Sequence, residues 1–471
     1  MSSVVKIPSD TIAAISTPPG NGGIGIVRLS GPDAVVILRK LFVPRRPKGE
    51  NPDEFPRSHR LYYGTIFDPV QGETVDEVMV GFMKAPRSYT REDVVEINAH
   101  AGTAVLRTLL QLCLAHGARL AEAGEFTKRA FLSGRIDLSQ AEAVADVIQA
   151  RTDQALRHAS AQLLGGLRER MEGVRQSLIA VSATIEAFID FPDDMESEID
   201  PDTVKETLLR EILQPLERTA QAYEKGRVYR DGVQCMIAGR PNVGKSSLMN
   251  RLLDRERVIV TDVPGTTRDI VEDIFHVDGA PVIIMDSAGI QDSRDPVERI
   301  GIERTRSRFD SCDLILMVTD ASQGVTSDDR DLYQCLRHKD PLIVVNKMDL
   351  LPETREKASN TPWPEGCEVY ISAKYDQGIP RLHQAIATRI FDDAEGLDGE
   401  RVLPNLRQKE GIERAAAGVR RAMACFDGGG NAFELAAIDL AEARKAVDEV
   451  LGLKAGDDVL DQIFSRFCIG K

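Results

Sequence analysis

The sequence predicts a multidomain chain, α/β plus all-α: a mixed α/β first third, then an all-helical region interrupted by an inserted α/β domain. Three observations predict it. The chain has 471 residues, enough for about three domains at roughly 100–200 residues each. The hydrophobic period changes near Asp137, again at Gly232 and once more after Asp398. Between the last two changes, four short and almost wholly apolar runs replace the helical repeat. The domain limits that follow are 1–134, 135–228, 229–393 and 394–471.

In residues 1–134 the strand-like runs are Thr11–Ser16, Ile24–Leu29, Tyr62–Phe67, Glu77–Phe82 and Val94–Ala99, punctuated by Gly and Pro. Ala104–Ala115 reads as a helix. From Leu138 through Leu167 to Phe188, apolar residues recur at three- and four-residue steps, the mark of amphipathic helix. The acidic run DDMESEIDPD after Phe191-Pro192 reads as a solvated connector, and Val204–Tyr223 as another helix. The apolar runs 233–238, 281–285, 314–318 and 341–345 read as strands buried on both faces of a parallel sheet. Helical periodicity then returns and ends with Leu435–Leu451.

Composition narrows the function classes. With 42% apolar and 28% charged residues the chain is an ordinary globular one. Its seven cysteines are dispersed without a CxxC, which argues against a structural zinc site and fits a reducing compartment. No apolar run approaches the roughly 18 residues of a membrane span, and MSSVVKIPSD lacks a secretory apolar region. A cytoplasmic protein with no membrane association is expected. A net charge of −15 argues against non-specific coating of nucleic acid, leaving a local basic patch or a nucleic acid presented by a partner.

The strongest chemical signal is Gly239-Arg-Pro-Asn-Val-Gly244-Lys245-Ser246. It matches GxxxxGK[ST], directly after a strand and before a helix, where backbone N–H groups can turn inward around phosphates. Lys245 would reach the β- and γ-phosphates, and Ser246 would offer its hydroxyl to Mg2+. Asp286-Ser287-Ala288-Gly289 closes the run 281–285, with the acid suited to Mg2+ through water and the Gly289 N–H to the γ-phosphate. Thr267, in Gly265-Thr266-Thr267-Arg268-Asp269, is the expected second Mg2+ hydroxyl. Asn346-Lys347-Met348-Asp349 ends the run 341–345. Asp349 can accept two hydrogen bonds from guanine N1–H and the exocyclic amine, a donor pair that adenine lacks. Ser372-Ala373-Lys374 can offer an N–H to guanine O6. GTP rather than ATP follows. Where Ras-like GTPases carry a water-orienting Gln this chain has Ile290, so another polar group is needed. Gln291, Asp292, Asp295 and Glu298 are the candidates.

A second set of segments carries a resemblance: TPPGNGGIGIVR (17–28), PRSYTREDVVEI (86–97), GEFTKRAF (124–131), IDLSQAEAVADVI (136–148), FIDFPDD (188–194) and the final FCIGK. With GTTRD and the isoleucine after Asp-x-Ala-Gly, these resemble the family of the tRNA modification GTPase MnmE, also called TrmE, over essentially the whole chain. The resemblance implies an N-terminal α+β folate-binding-like domain and a helical domain interrupted by a Ras-like P-loop GTPase domain. It implies a homodimer built through the N-terminal domains, an FAD-binding partner, MnmG, and a tRNA held largely by that partner. The implied chemistry installs an aminomethyl or carboxymethylaminomethyl group at C5 of a wobble uridine. The one-carbon donor would be 5,10-methylenetetrahydrofolate or 5-formyltetrahydrofolate. GTP hydrolysis, stimulated by K+, would bring the G domains together.

Carried over position by position, the GTP-binding set is Asn242, Val243, Gly244, Lys245, Ser246, Ser247, then Thr261, Asp262, Val263, Pro264, Gly265, Thr266, Thr267, then Asp286, Ser287, Ala288, Gly289, and finally Asn346 to Asp349 with Ser372, Ala373 and Lys374. Asn242 would coordinate K+ with the backbone of Thr261, Val263 and Thr266, adding positive charge beside the transferred phosphoryl group. Glu298 matches the catalytic glutamate; otherwise it is a helix-start carboxylate. Arg28, Glu96, Arg135 and Lys471 match folate-binding positions; otherwise Arg28 is a solvated strand residue and Glu96 a cross-strand partner. Cys468 is a candidate nucleophile, though the sequence shows no activating neighbour. Ser287, Gln291, Arg135 and Ala101 depart from the family's usual residues, and none of them removes a phosphate, Mg2+ or base contact.

Gly20-Asn-Gly22-Gly-Ile-Gly25 fits GxGxxG but leads into a strand rather than a helix, so dinucleotide binding is rejected. Two other classes remain beside the tRNA-modifying GTPase: a ribosome-assembly GTPase and a regulatory GTPase acting through a protein partner. Folate affinity of the N-terminal domain separates the first reading from both.

Overall fold

The computed structural model describes residues 9–18, 20, 22–45, 55–190, 200–254, 273–285, 309, 312–351, 361–364, 366–391, 402–427, 432–454 and 456–471. The first third builds one sheet from β1 (Ile12–Ile15), β2 (Ile24–Ser30), β3 (Phe42–Pro44), β4 (Arg60–Asp68), β5 (Glu73–Met83), β6 (Val94–His100) and β7 (Arg119–Leu120). Their order is β3-β4-β5-β6-β2-β1-β7. Alternation decides the faces, because successive side chains point to opposite sides. Val78, Val80 and Phe82 are buried while Glu77 and Met79, at the alternate positions, are exposed. The buried face is covered by α1 (Ala34–Leu41) and α2 (Thr103–Ala115), whose Ile37, Leu38, Leu106 and Leu109 join Val27, Leu29 and Ile97 in one core. The five predicted strands and the helix at 104–115 are all present; α1 and β3 were not foreseen.

A charged cluster ties α3 (Glu125–Leu132) to this sheet. Arg129 is 1% exposed and reaches three carboxylates: Asp10 at 2.7 Å, Glu125 at 2.9 Å and Glu92 at 3.1 Å. Arg119 binds Glu125 at 2.6 Å and Asp10 at 2.8 Å. Burial alone would raise the pKa of Asp10 and Glu125, but hydrogen bonds from the two arginines outweigh it and hold both below the ordinary carboxylate range.

The predicted helical stretch from 138 to 188 is three helices, α4 (Leu138–Gln149), α5 (Asp153–Leu163) and α6 (Gly166–Asp190). Its period persists, but the chain breaks twice. Thr152 caps α5 by accepting from the Ala155 N–H at 3.0 Å, and Gly165 takes a left-handed φ of 97°. Along α6, Leu167, Met171, Val174, Leu178, Val181 and Ile185 form the buried stripe. The acidic run reads differently at its end: Asp200 caps α7 (Pro201–Thr207), accepting from the Asp202 and Thr203 N–H groups. The helix continues through a π segment, Leu208–Leu213, into α8 (Gln214–Asp231). The Gln214 N–H donates to Leu209 O, five residues back. Pro215, which has no N–H to donate, follows at once, and the wide turn accommodates it.

The inserted sheet contains β8 (Val233–Ala238), β9 (Asp273–Val277), β10 (Ala280–Ile284), β11 (Leu314–Asp320), β12 (Leu342–Asn346) and β13 (Glu368–Tyr370), in the order β13-β12-β11-β8-β10-β9. All four predicted apolar strands are there and pair in parallel. Antiparallel β9 at the edge was not foreseen. Helices α9 (Lys245–Asp254), α10 (Ser327–Leu336) and α11 (Ile379–Phe391) complete the α/β unit as described.

The helical region resumes with α12 (Leu406–Cys425), α13 (Ala432–Leu451) and α14 (Asp457–Phe464). Its halves, separated in sequence by the insertion, share one apolar core. A polar clamp joins them. Glu142 on α4 accepts from Nε and Nη2 of Arg407, each at 2.8 Å, and from the Gln408 amide at 2.6 Å, while Gln162 on α5 donates to Gln408 at 2.9 Å. No helix of the described residues is long and apolar enough to cross a membrane.

Candidate functional site

The phosphate loop runs from β8 to α9. Gly244 has a φ of 98°, and a Cβ there would lie 2.3 Å from Asn346 Nδ2, so only glycine fits between the loop and the end of β12. Asn242, with φ 65°, makes the turn. Lys245 opens α9, and its ammonium donates to the Gly239 and Arg240 carbonyls at 2.8 and 2.9 Å, at the mouth of the loop. Burial lowers its pKa, so a phosphate beside it would favour the charged form. Ser246 and Ser247 follow in the first turn, both exposed.

The base-reading segment is bolted to this loop. Asn346 donates through Nδ2 to Val243 O at 3.0 Å and accepts at Oδ1 from the Ala373 N–H at 3.0 Å, so one buried amide holds three segments together. Asp349 is exposed, and its Oδ1 accepts from the Ser372 hydroxyl at 2.6 Å. That contact fixes the carboxylate's orientation. The Ala373 N–H is committed to Asn346 at 3.0 Å and the Ser372 N–H to Gln377 O at 2.9 Å. Within Ser372-Ala373-Lys374, the backbone donor suited to guanine O6 is therefore that of Lys374. The Lys374 ammonium lies 4.9 Å from the Tyr375 ring centroid. Lys347 spans the two parts, donating to Asn242 O and to Asp320 Oδ2, each at 2.7 Å. Asp320 was missed in the sequence; the available signal was an acid ending the apolar run LILMVTD.

The expected switch residues Thr261, Asp262, Val263, Pro264, Gly265, Thr266 and Thr267 lie outside the described residues, as do Asp286, Ser287, Ala288, Gly289 and Glu298.

A second constellation forms on the outward face of the N-terminal sheet. Arg28 and Glu96 are register partners on β2 and β6 and pair at 2.8 Å. Arg28 also donates to Gly470 O at 3.4 Å and lies 5.6 Å from the Phe126 ring centroid. The chain's last turn is seated on this domain: Phe126 N–H donates to Lys471 O at 3.2 Å, and Gly124 N–H to Cys468 O at 3.4 Å. Gly470 has φ 95°, and a Cβ there would fall 2.3 Å from Ile15 O. The structure thus brings Arg28, Glu96 and the backbone of Gly470 and Lys471 together. Arg135 is bonded elsewhere, 4.8 Å from the Tyr89 ring centroid and donating to Tyr89 O at 3.3 Å. Cys468 is an exposed free thiol. Phe126, which touches both Arg28 and Lys471, was not singled out in the sequence; no local pattern marks it.

Comparison with known proteins follows the same two parts. A family model described as the GTP-binding protein TrmE N-terminus matches residues 11–135, and one described as the MnmE helical domain matches residues 138–468. The tRNA modification GTPase MnmE of Carboxydothermus hydrogenoformans is 44% identical over 464 residues, covering 98% of this chain and 99% of its own length. The chain belongs to the MnmE family. The tRNA modification GTPase MnmE of Syntrophobacter fumaroxidans is likewise 44% identical, over 99% of both chains. Among solved structures, the FeoB G-domain from Methanococcus jannaschii matches with TM-score 0.26 and 22% identity over 34% of this chain and 97% of its own. As an MnmE-family member the protein is a GTPase, with an N-terminal domain, a helical domain and a P-loop G domain.

Proposed function

We propose that this MnmE-family GTPase is the GTP-hydrolysing subunit of a tRNA wobble-uridine modification complex. It works with an FAD-binding MnmG partner that holds much of the tRNA, and it installs an aminomethyl or carboxymethylaminomethyl group at C5. The curated relatives' name, tRNA modification GTPase, supports the substrate class. The observation that carries the folate part is the Arg28–Glu96 pair closed by the Gly470 carbonyl. A partly buried carboxylate on a strand suits a pterin's amine and ring N–H, and the cations Arg28, Arg135 and Lys471 suit a glutamate tail. The folate is 5,10-methylenetetrahydrofolate or 5-formyltetrahydrofolate, and it supplies the one-carbon unit. Cys468, exposed beside this seat, is the candidate nucleophile.

A homodimer is supported by the face that carries this pair. Leu61, Tyr63, Met79 and Val43 stand exposed on it, Leu61 by 66%. Tyr63 and Met79 are register partners, and Met79 in turn pairs with Asn98, two residues from Glu96. An apolar sheet face bordered by charged groups suits burial against a second copy.

In the G domain, Ser246 and Thr267 hold Mg2+, and Asn242 with Thr261, Val263 and Thr266 holds K+. All are oxygen donors, which suits hard cations, and Asn242 sits at the turn beside Lys245. Glu298 orients the attacking water, and hydrolysis drives the G domains together. The domain limits are those read from the periodicity, and the cytoplasm is the expected location.

Mass spectrometry of wobble-uridine nucleosides tests the whole reading. In a strain lacking the chain the C5-modified uridines should vanish; they should return with wild type and stay absent with Glu298→Ala. Unchanged nucleosides in the deletion strain would sink the tRNA reading and bring the ribosome-assembly class forward. Removing Gly470 and Lys471 should abolish modification while GTP hydrolysis stays within about twofold of wild type, since the tail touches the N-terminal domain rather than the nucleotide loop. Equal loss of both activities refutes that separation.

A further inference from the structure

Asp320 ends β11, a strand buried along all seven residues, and its own side chain is 1% exposed. A carboxylate so withdrawn from water persists as an ion only when paired and hydrogen-bonded. Its two oxygens have separate tasks. Oδ1 accepts from the Ser322 N–H at 2.9 Å and the Ser322 hydroxyl at 2.6 Å, forming the turn after the strand. Oδ2 faces the Lys347 ammonium at 2.7 Å. Burial would raise the acid's pKa, yet Lys347 and Ser322 together hold it below the ordinary range.

Lys347 does not end at this contact. Its ammonium also donates to the Asn242 carbonyl at 2.7 Å. Both Lys347 and Asn242 have φ near 65°, left-handed backbone that disfavours non-glycine residues unless neighbours fix it. The ammonium therefore bridges the end of β11, the segment that reads the base and the turn of the phosphate loop.

We propose that Asp320 is a positioning residue for GTP hydrolysis: by holding Lys347 against the Asn242 carbonyl it sets the base-reading segment and the phosphate-loop turn as one unit. Guanine binding and the placement of the Asn242 side chain are then coupled. The cation part of this inference rests on the K+ reading above.

Asp320→Asn in the full chain isolates the Oδ2 contact. The amide oxygen still accepts from Ser322, so the turn survives, but an NH2 now meets the ammonium. The expected result is a GDP Kd raised roughly 10- to 100-fold, the loss associated with a hydrogen bond to a charged group. The K+ concentration for half-maximal hydrolysis should rise severalfold. In a Lys347→Met background the same substitution should add nothing, since contacting residues are non-additive. Ser322→Ala, which removes only a turn donor, should leave the GDP Kd within twofold of wild type.

A GDP Kd within twofold of wild type in Asp320→Asn overturns the proposal. So does full additivity with Lys347→Met, or an equal loss in Ser322→Ala, which would assign Asp320 to the turn. A raised GDP Kd with an unmoved K+ half-point overturns the coupling to Asn242. Absence of any K+ stimulation in wild type sinks the K+ reading instead, and Asp320 is then judged on GDP binding and the double mutant alone.

Discussion

Asp349→Asn should weaken GTP binding by roughly 10²- to 10⁴-fold while improving that of xanthosine triphosphate. A guanine bound at this carboxylate gives it two hydrogen bonds, from N1–H and the exocyclic amine. Each bond to a charged acceptor is worth about 1.5–3 kcal/mol, which sets the range. The Ser372 hydroxyl already orients the carboxylate at 2.6 Å, so little ordering remains to be done on binding. An amide in its place turns an acceptor into a donor. That donor repels the guanine amine and matches the C2 carbonyl of xanthine. Competition among GTP, XTP and ATP in the hydrolysis assay reads the change, and an unaltered preference for GTP would show that Asp349 does not read the base.

The second large effect concerns stability. Arg129→Ala should destabilise the N-terminal domain by about 3–5 kcal/mol, the usual cost of stranding a buried charge. Glu125, Glu92 and Asp10 lose a shared cation that is 1% exposed, and Arg119 reaches only two of the three. Adding Glu92→Gln should recover part of the loss, because Glu92 is the carboxylate of the three that Arg119 does not reach. Hydrogen exchange resolved to β1 and β6 is the suitable probe, since a chain of several domains need not unfold in one step. The cluster also fixes a pH dependence. Asp10 and Glu125 have folded pKa values below their unfolded ones. Their contribution is therefore complete above the unfolded values, about 4, and is lost as pH falls through the depressed ones. Acid sensitivity below about pH 4 should shrink in the double variant; an undiminished acid transition would contradict the linkage.

Local chemistry was legible in the sequence where one segment carries it whole. GxxxxGK[ST] and Asn-Lys-Met-Asp follow apolar strands at fixed spacing, and the backbone turns they need are the ones observed. The four buried strands were legible because a strand covered on both faces has nothing polar to hide. The edge strand β9 was not, because Asp273–Val277 mixes polar and apolar residues too briefly to show a period. The helix breaks at Thr152 and Gly165 left the apolar repeat intact and so passed unseen; only their capping chemistry marks them. Contacts between distant segments were the least legible. Arg28 meets Gly470 across nearly the whole chain, and nothing local announces it. Asp320 lies between these cases: its placement at a strand end was readable, but its partner belongs to another motif.

The clamp at Glu142 has a consequence for how the chain is made. Its partners Arg407 and Gln408 lie beyond the inserted domain, as do the helices that complete the core around α6. A ribosome delivers α4 to α8 first and then the entire inserted sheet. At about 5–20 residues per second, α12 follows on the order of ten to thirty seconds later. During that interval Leu167, Met171, Val174 and Leu178 have no α12 or α13 to bury them. The nucleotide-binding unit, complete within one stretch, is finished while the older helices still wait. The segment of the nascent chain most in need of protection is thus the first half of the helical core, and the GTPase forms in its shadow.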